Sequence, residues 1–283
     1  MGSEWKEVKL EQIAVFKNGK KIDENERKAN GRYYIYGSNG IIGKTDKFLV
    51  CNDCIIIGRV GAYCGSLQYS KGPSWVTDNA IFCLTNKDTD LKFLFYVLKT
   101  IPIRDMAGGS AQPLINQEIL NNITITCPPL PEQQKIASIL SAFDDKIELN
   151  NEMNKTLEEI AQAIFKHWFI DFEFPNENGE PYKSSGGEFV DSELGPIPKG
   201  WKVGTLKEIC HINMGQSPPS STYNTEKVGI AFYQGVKDFG FRYPSCTTYC
   251  SEPKKIAEIG DILLSVRAPV GVVNMAIEKC CIG

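Results

Sequence analysis

Cysteine and histidine are the residue types in this sequence that could bind a metal ion or act as nucleophiles. The chain contains ten cysteines and two histidines among its 283 residues. Cys51 and Cys54 have the CxxC spacing of zinc ligands, and Cys246 and Cys250 lie four residues apart. However, isoleucine stands at the positions that match Cys51 and Cys54 in the internal repeat described below. Cysteines that pack as small buried hydrophobic side chains explain this pattern better than a zinc site.

Other catalytic patterns are missing from the sequence. His167 and His211 are too few and too far apart for a Ser–His or metal site, and His167 is interpreted as a helix-surface or packing residue. The segment GRVGAYCG lacks the strand and helix that flank a dinucleotide-binding glycine loop, and no phosphate-binding P-loop motif occurs. We therefore expect a chain that is not an enzyme and that holds no cofactor and no metal.

Polar and aromatic side chains in two regions have chemistry that suits DNA. Asn and Gln match adenine edges, Arg and Lys bind guanine or phosphate, and Tyr and Ser can hold the DNA backbone. A structural role in a turn is the alternative for each of them, and an arginine can instead satisfy carbonyl groups of its own domain. The candidate DNA-binding residues are Lys17, Lys20, Tyr34, Tyr36, Ser38, Asn39, Lys44 and Arg59 in the first region, and Tyr233, Gln234, Lys237 and Arg267 in the second.

The elements that must position these residues are repeated along the chain. EWKEVKLEQIAVFKNGK (4–20) matches GWKVGTLKEICHINMGQ (200–216), and NDCIIIGRVGAYCG (52–65) matches GDILLSVRAPVG (260–271). Short β-branched runs such as CIIIG predict strands, and DLKFLFYVLKT (90–100) has the spacing of a helix. The fold class predicted for each copy is therefore mixed α+β.

The second copy is shorter than the first, because Gly283 corresponds to about Trp75. The chain is therefore expected to stop inside a domain. The predicted segments are a first recognition-type domain over 1–130, a long helical spacer over 131–170, a linker rich in Pro, Gly, Ser and acids over 171–200, and an incomplete second domain over 201–283.

The spacer has the pattern of a coiled coil. No Gly or Pro occurs from residue 132 to 169, which predicts a helix roughly 55 Å long. Apolar residues recur at alternating steps of three and four, and two asparagines lie in the middle of the seam, where they would fix the register. The alternative is that this face packs on a neighbouring globular core. The seam, predicted to pair with another helix or to dock a partner, contains Ile136, Leu140, Phe143, Ile147, Asn150, Asn154, Leu157, Ala161, Ile164 and Trp168.

Charge and composition limit the class of protein. The net charge is +3 over residues 1–130, −8 over 131–200 and +2 over 201–283, so the two repeated regions permit nucleic-acid binding without requiring it. No apolar run is long enough for a membrane helix, and the charged N-terminus is unlike a signal peptide. Ten cysteines are compatible with reduced thiols in the cytoplasm, where we expect the protein to be.

Five stretches closely resemble type I restriction–modification specificity subunits, and the resemblance covers essentially the whole chain. The proline-flanked stretch that leads into the helix is its most specific part. The stretches are PPLPEQQKIASILSAFDDKIELNNEMNKTLEEIAQAIFKHWF, YGSNGIIGK, GRVGAYCG, GSAQPLINQEIL and DSELGPIPKGW. The resemblance implies two target recognition domains that each read one half of a split site in double-stranded DNA.

The same resemblance implies partners and a division of labour. Long helices of such subunits pair as a ruler and dock the methylation subunits, which carry S-adenosylmethionine, while a restriction subunit joins for cleavage. The sequence departs from the family pattern because it lacks the end of the second domain and the second conserved helix. The resulting hypothesis is a truncated or split subunit whose helix pairs with another chain, such as a second copy. The alternatives are a non-functional remnant whose last residues fold poorly and a coiled-coil adaptor that binds protein rather than DNA.

Overall fold

The computed structural model of the protein describes residues 5–108 and 113–283. The chain divides into two compact units, of which the first ends at Phe165 and the second begins at Lys166. Residues 109–112, which open the stretch GSAQPLINQEIL, lie outside the described residues. Within the described ranges, no helix has both the length and the apolar character needed to cross a membrane.

The first unit combines short strands with helices of very different lengths. Its strands are β1 (Lys6–Lys9), β2 (Ala14–Asn18), β3 (Tyr33–Gly37), β4 (Gly40–Thr45), β5 (Cys54–Gly58), β6 (Leu67–Ser70), β7 (Trp75–Val76), β8 (Ala80–Thr85) and β9 (Thr124–Cys127). Its helices are α1 (Leu10–Ile13), α2 (Leu91–Lys99), α3 (Gln117–Asn121) and the long α4 (Leu130–Phe165).

A four-stranded sheet in the order β2-β8-β5-β6 separates two hydrophobic cores of the first unit. One core lies between this sheet and α1, α2, α3 and β9. The other is shared with the three-stranded sheet β4-β3-β7. Ile55 and Ile57 of β5 belong to the first core, and Cys54 and Ile56 belong to the second. Burial on both faces explains why this strand is continuously apolar rather than alternating.

Helix α4 is joined to the first unit near its start. The backbone N of Asp90, the residue that caps α2, donates to Gln133 Oε1 at 2.9 Å. Gln133 Nε2 in turn donates to the Pro128 carbonyl at 2.8 Å, and the Gln133 side chain is buried. Further along, the Tyr96 hydroxyl of α2 donates to Asp144 Oδ2 at 2.7 Å. These bonds fix the direction in which α4 leaves the globular part of the unit.

The second unit begins with a π-helical turn, Lys166–Ile170, and is built mainly from very short strands. The elements are β10 (Phe189–Val190), β11 (Ile197–Pro198), α5 (Leu206–Ile209), β12 (Tyr223–Asn224), β13 (Ile230–Tyr233), β14 (Tyr249–Cys250), β15 (Ile256–Ala257), β16 (Ile262–Leu264), β17 (Val273–Met275) and β18 (Cys280–Ile282). Five of the strands form one sheet in the order β12-β14-β13-β18-β15, and β10–β11 and β16–β17 form separate pairs.

Residues 171–200, for which the sequence predicts a linker, contain an aromatic cluster. The Phe174 ring stacks on Tyr182 at 4.7 Å between centroids and on Trp201 at 5.5 Å. Phe172 meets Trp201 edge-on at 5.6 Å. The segment therefore has packing of its own, which a composition rich in Pro, Gly and Ser does not reveal.

Candidate nucleic-acid interface

Four loops meet at one end of the four-stranded sheet of the first unit. Strands β2 and β5 end there, and β6 and β8 begin there, because these neighbours are antiparallel. Strand β3 runs parallel to β7 and ends at the same place. The loops, together named the loop cluster, are residues 18–20, 37–40, 59–66 and 77–79.

Backbone hydrogen bonds tie the loop cluster together around residues 77–79. Thr77 N donates to the Tyr36 carbonyl at 2.9 Å, and Arg59 N donates to the Asn79 carbonyl at 2.9 Å. A Cβ atom on Gly19 would lie 2.1 Å from the Thr77 carbonyl oxygen, so only glycine allows this approach. The loops therefore form one surface rather than four separate turns.

Lys17 and Lys20 present exposed positive charge at or next to this surface. Neither has an ion pair with any residue that the structure describes. Other lysines nearby in sequence are paired, as Lys28 is with Asp46 at 2.7 Å. The hydrogen bond from Lys28 lowers the pKa of the Asp46 carboxyl. Lys17 and Lys20 are therefore two cations of this region that are available to a phosphate backbone.

Ser38 and Asn39 lie at the tip between β3 and β4. The carbonyl of Ser38 accepts from Ser66 Oγ at 2.6 Å, which joins this tip to the 59–66 loop. The Ser38 side chain is half-buried and the Asn39 side chain is exposed. Both predicted residues are thus part of the loop cluster, and the Asn39 amide is more accessible than the Ser38 hydroxyl.

The structure separates the remaining candidates of β3 and β4 by burial. Tyr34 is 46% exposed, and the Lys44 ammonium lies 5.2 Å from the centre of its ring. Tyr36 is 7% exposed and belongs to the core between the two sheets, and burial raises the pKa of its hydroxyl. Tyr34 and Lys44 therefore form an accessible pair, whereas the Tyr36 side chain serves the core.

Arg59 follows β5 and reaches across the loop cluster. Its Nη1 donates to the Asp78 carbonyl at 3.4 Å, and its Nε is buried without a partner among the described residues. The guanidinium therefore bonds to a carbonyl group of its own unit, which is the structural role stated above as the alternative to DNA binding.

The second unit repeats the backbone bonds of this junction. Gln216 N donates to the Ile282 carbonyl at 2.9 Å, as Lys20 N does to the Val76 carbonyl in the first unit. Gly283 N donates to the Tyr233 carbonyl at 3.0 Å, which matches the bond between Thr77 and Tyr36. The strand pair β13–β18 is parallel, as β3–β7 is. The two copies are thus related in structure as well as in sequence.

The candidates of the second copy also differ in burial. Tyr233 is 4% exposed, and its hydroxyl donates to Glu278 Oε1 at 3.3 Å. Gln234 is exposed and its Nε2 donates to Ser217 Oγ at 3.3 Å. Lys237 and Arg267 are exposed. Three of the four predicted side chains of this copy are therefore accessible.

Arg59 and Arg267 do not occupy equivalent places, although the sequences align them. Gly58 N donates to Ser66 O and Gly58 O accepts from Gly65 N. In the second unit Ser265 makes the corresponding pair of bonds, with Val272 and Gly271. Ser265 thus matches Gly58, so Arg267 lies one position beyond the counterpart of Arg59. The turn after β16 is one residue shorter than the turn after β5, and sequence alignment could not locate that difference.

Sequence reasoning missed two residues of the loop cluster, Asp78 and Asn79. Both are exposed, and their carbonyl groups accept the bonds from Arg59. The signal in the sequence was the polar triplet TDN between WV and the strand AIFCLT. A triplet of this kind is also typical of an ordinary turn, so sequence alone did not distinguish it.

The predicted seam of α4 is exposed along most of the helix. The helix buries Gln133 and Ala137, and Ile136 is half-buried, so the first turns pack on the globular part of the unit. Farther along, Phe143 is 65% exposed and Leu157 is 60% exposed. The exposed positions of the predicted set are Leu140, Phe143, Ile147, Asn150, Asn154, Leu157, Ala161, Ile164 and Trp168, the last in the π-helical turn.

Comparison with known families identifies the repeated unit. A sequence model described as type I restriction modification DNA specificity domain matches residues 2–159 and 198–283. The chain belongs to this family. The resemblance inferred from the sequence motifs is therefore confirmed.

Individual members of the specificity family agree with this assignment. The putative type I restriction enzyme MjaX specificity subunit of Methanocaldococcus jannaschii is 35% identical over 235 residues, which are 80% of this chain and 52% of that protein. The MjaVIII specificity subunit of the same organism is 27% identical over 300 residues, 98% of this chain and 67% of that protein. The chain thus spans about half the length of the first relative.

A solved structure supports the fold. The crystal structure of a type-I restriction-modification system S subunit from M. genitalium superposes with a TM-score of 0.56 at 19% identity, covering 99% of this chain and 70% of that chain. The predicted mixed α+β fold class, with a long helix between two copies of the recognition-type domain, is confirmed.

The cysteines of this specificity-family chain do not form a ligand group. No set of three or more His, Cys, Asp or Glu side chains suited to a metal occurs within residues 5–108 and 113–283. All ten cysteines are free thiols. In the CxxC pair, Cys51 is exposed, whereas Cys54 is buried and desolvation raises its pKa to about 11. The two sulfur atoms therefore occupy different environments.

Proposed function

We propose that this chain is a non-catalytic DNA-recognition subunit of a type I restriction–modification complex. It directs methyltransferase and endonuclease subunits to a bipartite target in double-stranded DNA. The observation that carries the proposal is the match of the DNA specificity family to both copies of the repeat, residues 2–159 and 198–283. Two copies of one recognition module on one chain suit a target that has two halves.

Within this proposal, the exposed and half-buried candidates divide by chemistry. Lys17, Lys20 and Lys44 bind phosphates, and Ser38 and Asn39 approach the bases or the sugar–phosphate backbone of the first half-site. Gln234, Lys237 and Arg267 contact the phosphates or the bases of the second half-site. The buried Tyr36 and Tyr233 support their loops. The functional segments proposed are the recognition domains 1–130 and 201–283, joined by the helical spacer 131–170 and the linker 171–200.

Partners in this proposal bind through the exposed stripe of α4. The methylation subunits dock on this stripe, and the restriction subunit joins the complex through them. Phe143 and Leu157 are large, exposed and apolar, so a helix that covers them gains hydrophobic burial. The stripe could also pair with α4 of a second copy. The proposed location is the cytoplasm, where free thiols remain reduced.

Methylation mapping tests the proposal directly. The chain is co-expressed with the methylation subunits of its own genome in a host without related methylation, and modified bases are mapped across the host DNA. We expect methylation at one bipartite motif that appears only when this chain is present. Methylation at the same sites without the chain would contradict the proposal. So would a complex that forms and methylates nothing.

A further inference from the structure

Asp78 and Asn79 lie in the middle of the loop cluster with unused side chains. Both side chains are exposed. Neither makes a hydrogen bond or an ion pair with any residue that the structure describes, and only their carbonyl groups are engaged. Their side chains are thus not required for the internal bonds of the unit.

The backbone of these two residues is held from two directions. On one side, Thr77 N donates to the Tyr36 carbonyl at 2.9 Å. On the other side, Arg59 N donates to the Asn79 carbonyl at 2.9 Å, and Arg59 Nη1 donates to the Asp78 carbonyl at 3.4 Å. A polar turn whose backbone is fixed while its side chains remain unbonded is suited to present those side chains to a ligand.

The two side-chain types suit base edges rather than phosphates. A carboxylate is repelled by phosphate but accepts a hydrogen bond from the exocyclic amino group of cytosine. An asparagine amide can form two hydrogen bonds with adenine, at N6 and N7. The neighbouring loop supplies Lys20, whose charge suits the DNA backbone on the flank of this turn.

We propose that Asp78 and Asn79 contact base edges of the half-site bound by the first unit. Arg59 acts as a positioning residue, because it holds the turn through the two carbonyl groups rather than touching DNA. This proposal rests on the DNA-recognition function proposed above and assigns base reading within it.

The experiment uses the complex of the full chain with its methylation subunits. The probes are a duplex that carries the motif mapped for the wild-type complex, its single-base variants, and a duplex without the motif. Affinity is measured by fluorescence anisotropy at several salt concentrations for Asp78→Ala, Asn79→Ala, Asn79→Asp, Arg59→Gln and Lys20→Gln. Asp88→Ala and Asn52→Ala are matched controls, since both residues are exposed at the opposite end of the same sheet.

We expect Asp78→Ala and Asn79→Ala each to lose roughly tenfold to hundredfold in affinity for the motif. Affinity for the duplex without the motif and the salt dependence should remain those of wild type. Lys20→Gln should weaken binding to both duplexes and reduce the slope of log affinity against log salt by about one. Asn79→Asp keeps the shape of the side chain, and it should move the preference at one base pair from adenine towards cytosine.

Arg59→Gln separates positioning from direct contact. As a positioning residue, it should lose discrimination at the base pairs affected by Asp78→Ala and Asn79→Ala, with the salt slope unchanged. A slope reduced by about one would instead make Arg59 a phosphate contact and overturn its assigned role.

The base-reading proposal is overturned if Asp78→Ala and Asn79→Ala bind the motif within twofold of wild type, or if they weaken both duplexes equally. If Asn79→Ala does not fold, the isosteric Asn79→Asp variant tests the proposal instead. An unchanged base preference of that variant would contradict the proposal. Failure of the DNA-recognition function is a separate result, since the wild-type complex would then show no motif at all.

Discussion

Leu10 and Leu206 occupy matching positions of the two repeated segments, but Leu10 is fully buried and Leu206 is 65% exposed. Ile13 and Ile209, one turn later, differ in the same way. In the first unit these side chains pack in the core that α2, α3 and β9 complete. Residues 201–283 contain no counterpart of those three elements among their strands and helices. One sequence pattern therefore stabilises the first unit and leaves an apolar surface on the second.

Matched alanine substitutions should reveal this difference. Leu10→Ala is expected to lower the free energy of unfolding of the first unit by about 2–5 kcal/mol, because it leaves a cavity in a closed core. Leu206→Ala is expected to change stability by less than about 0.5 kcal/mol. Hydrogen exchange resolved by peptide reports on each unit separately, since the two units need not unfold together. Equal losses from both substitutions would contradict the unequal burial.

The start of α4 offers a second matched pair. Gln133 is buried and bonded to Asp90 N and the Pro128 carbonyl, whereas Gln134 is exposed. Gln133→Leu should cost about 1–3 kcal/mol, because it leaves a buried donor and a buried acceptor unsatisfied. Gln134→Leu serves as the control and should be nearly neutral. Urea unfolding followed by circular dichroism measures both, and a neutral Gln133→Leu would mean that these bonds do not hold the helix.

Local patterns predicted most regular elements but not which of the candidate DNA-binding residues are exposed. The spacing of apolar residues in DLKFLFYVLKT is sufficient to predict α2, since the apolar face of the helix is set by the helical period. Tyr34 and Tyr36 could not be told apart in this way. The β3–β4 register shifts between Ile35 and Tyr36, and Tyr36 is buried in the core while Tyr34 is exposed. The positions of Arg59 and Arg267 likewise differ because the two turns differ in length by one residue. Only the hydrogen bonds reveal that difference.

Cysteine reactivity should follow burial. Burial raises the pKa of Cys54 to about 11 and that of Cys280 to about 12, whereas Cys51 and Cys210 are exposed. At pH 8 iodoacetamide is expected to modify Cys51 and Cys210 in the folded protein, and Cys54 and Cys280 only after unfolding. Mass spectrometry of peptides identifies the labelled sites. Rapid labelling of Cys54 in the folded chain would show that its core is open.

The raised pKa values of Cys54 and Cys280 also make the stability of the fold depend on pH. An unfolded cysteine has a pKa of about 8.5, so between roughly pH 8.5 and 11 the folded state keeps protons that the unfolded state loses. Stability should therefore fall as the pH rises through this range. Cys54→Ala should reduce the slope of unfolding free energy against pH, and Cys51→Ala, at an exposed position, should leave it unchanged.

The exposed stripe of α4 makes a prediction about association. Phe143 and Leu157 are 65% and 60% exposed and lie on the predicted seam. If α4 pairs with a second copy, light scattering after size exclusion should give a mass above that of one chain. The double substitution Phe143→Gln and Leu157→Gln should reduce that mass to the mass of the monomer. Glutamine keeps high helix propensity, so the helix itself should persist. Glu152→Gln, on the opposite side of α4, is the control and should leave the mass unchanged. A monomeric wild-type chain at every concentration would contradict self-pairing, because removal of this apolar surface from water is the force proposed to drive it.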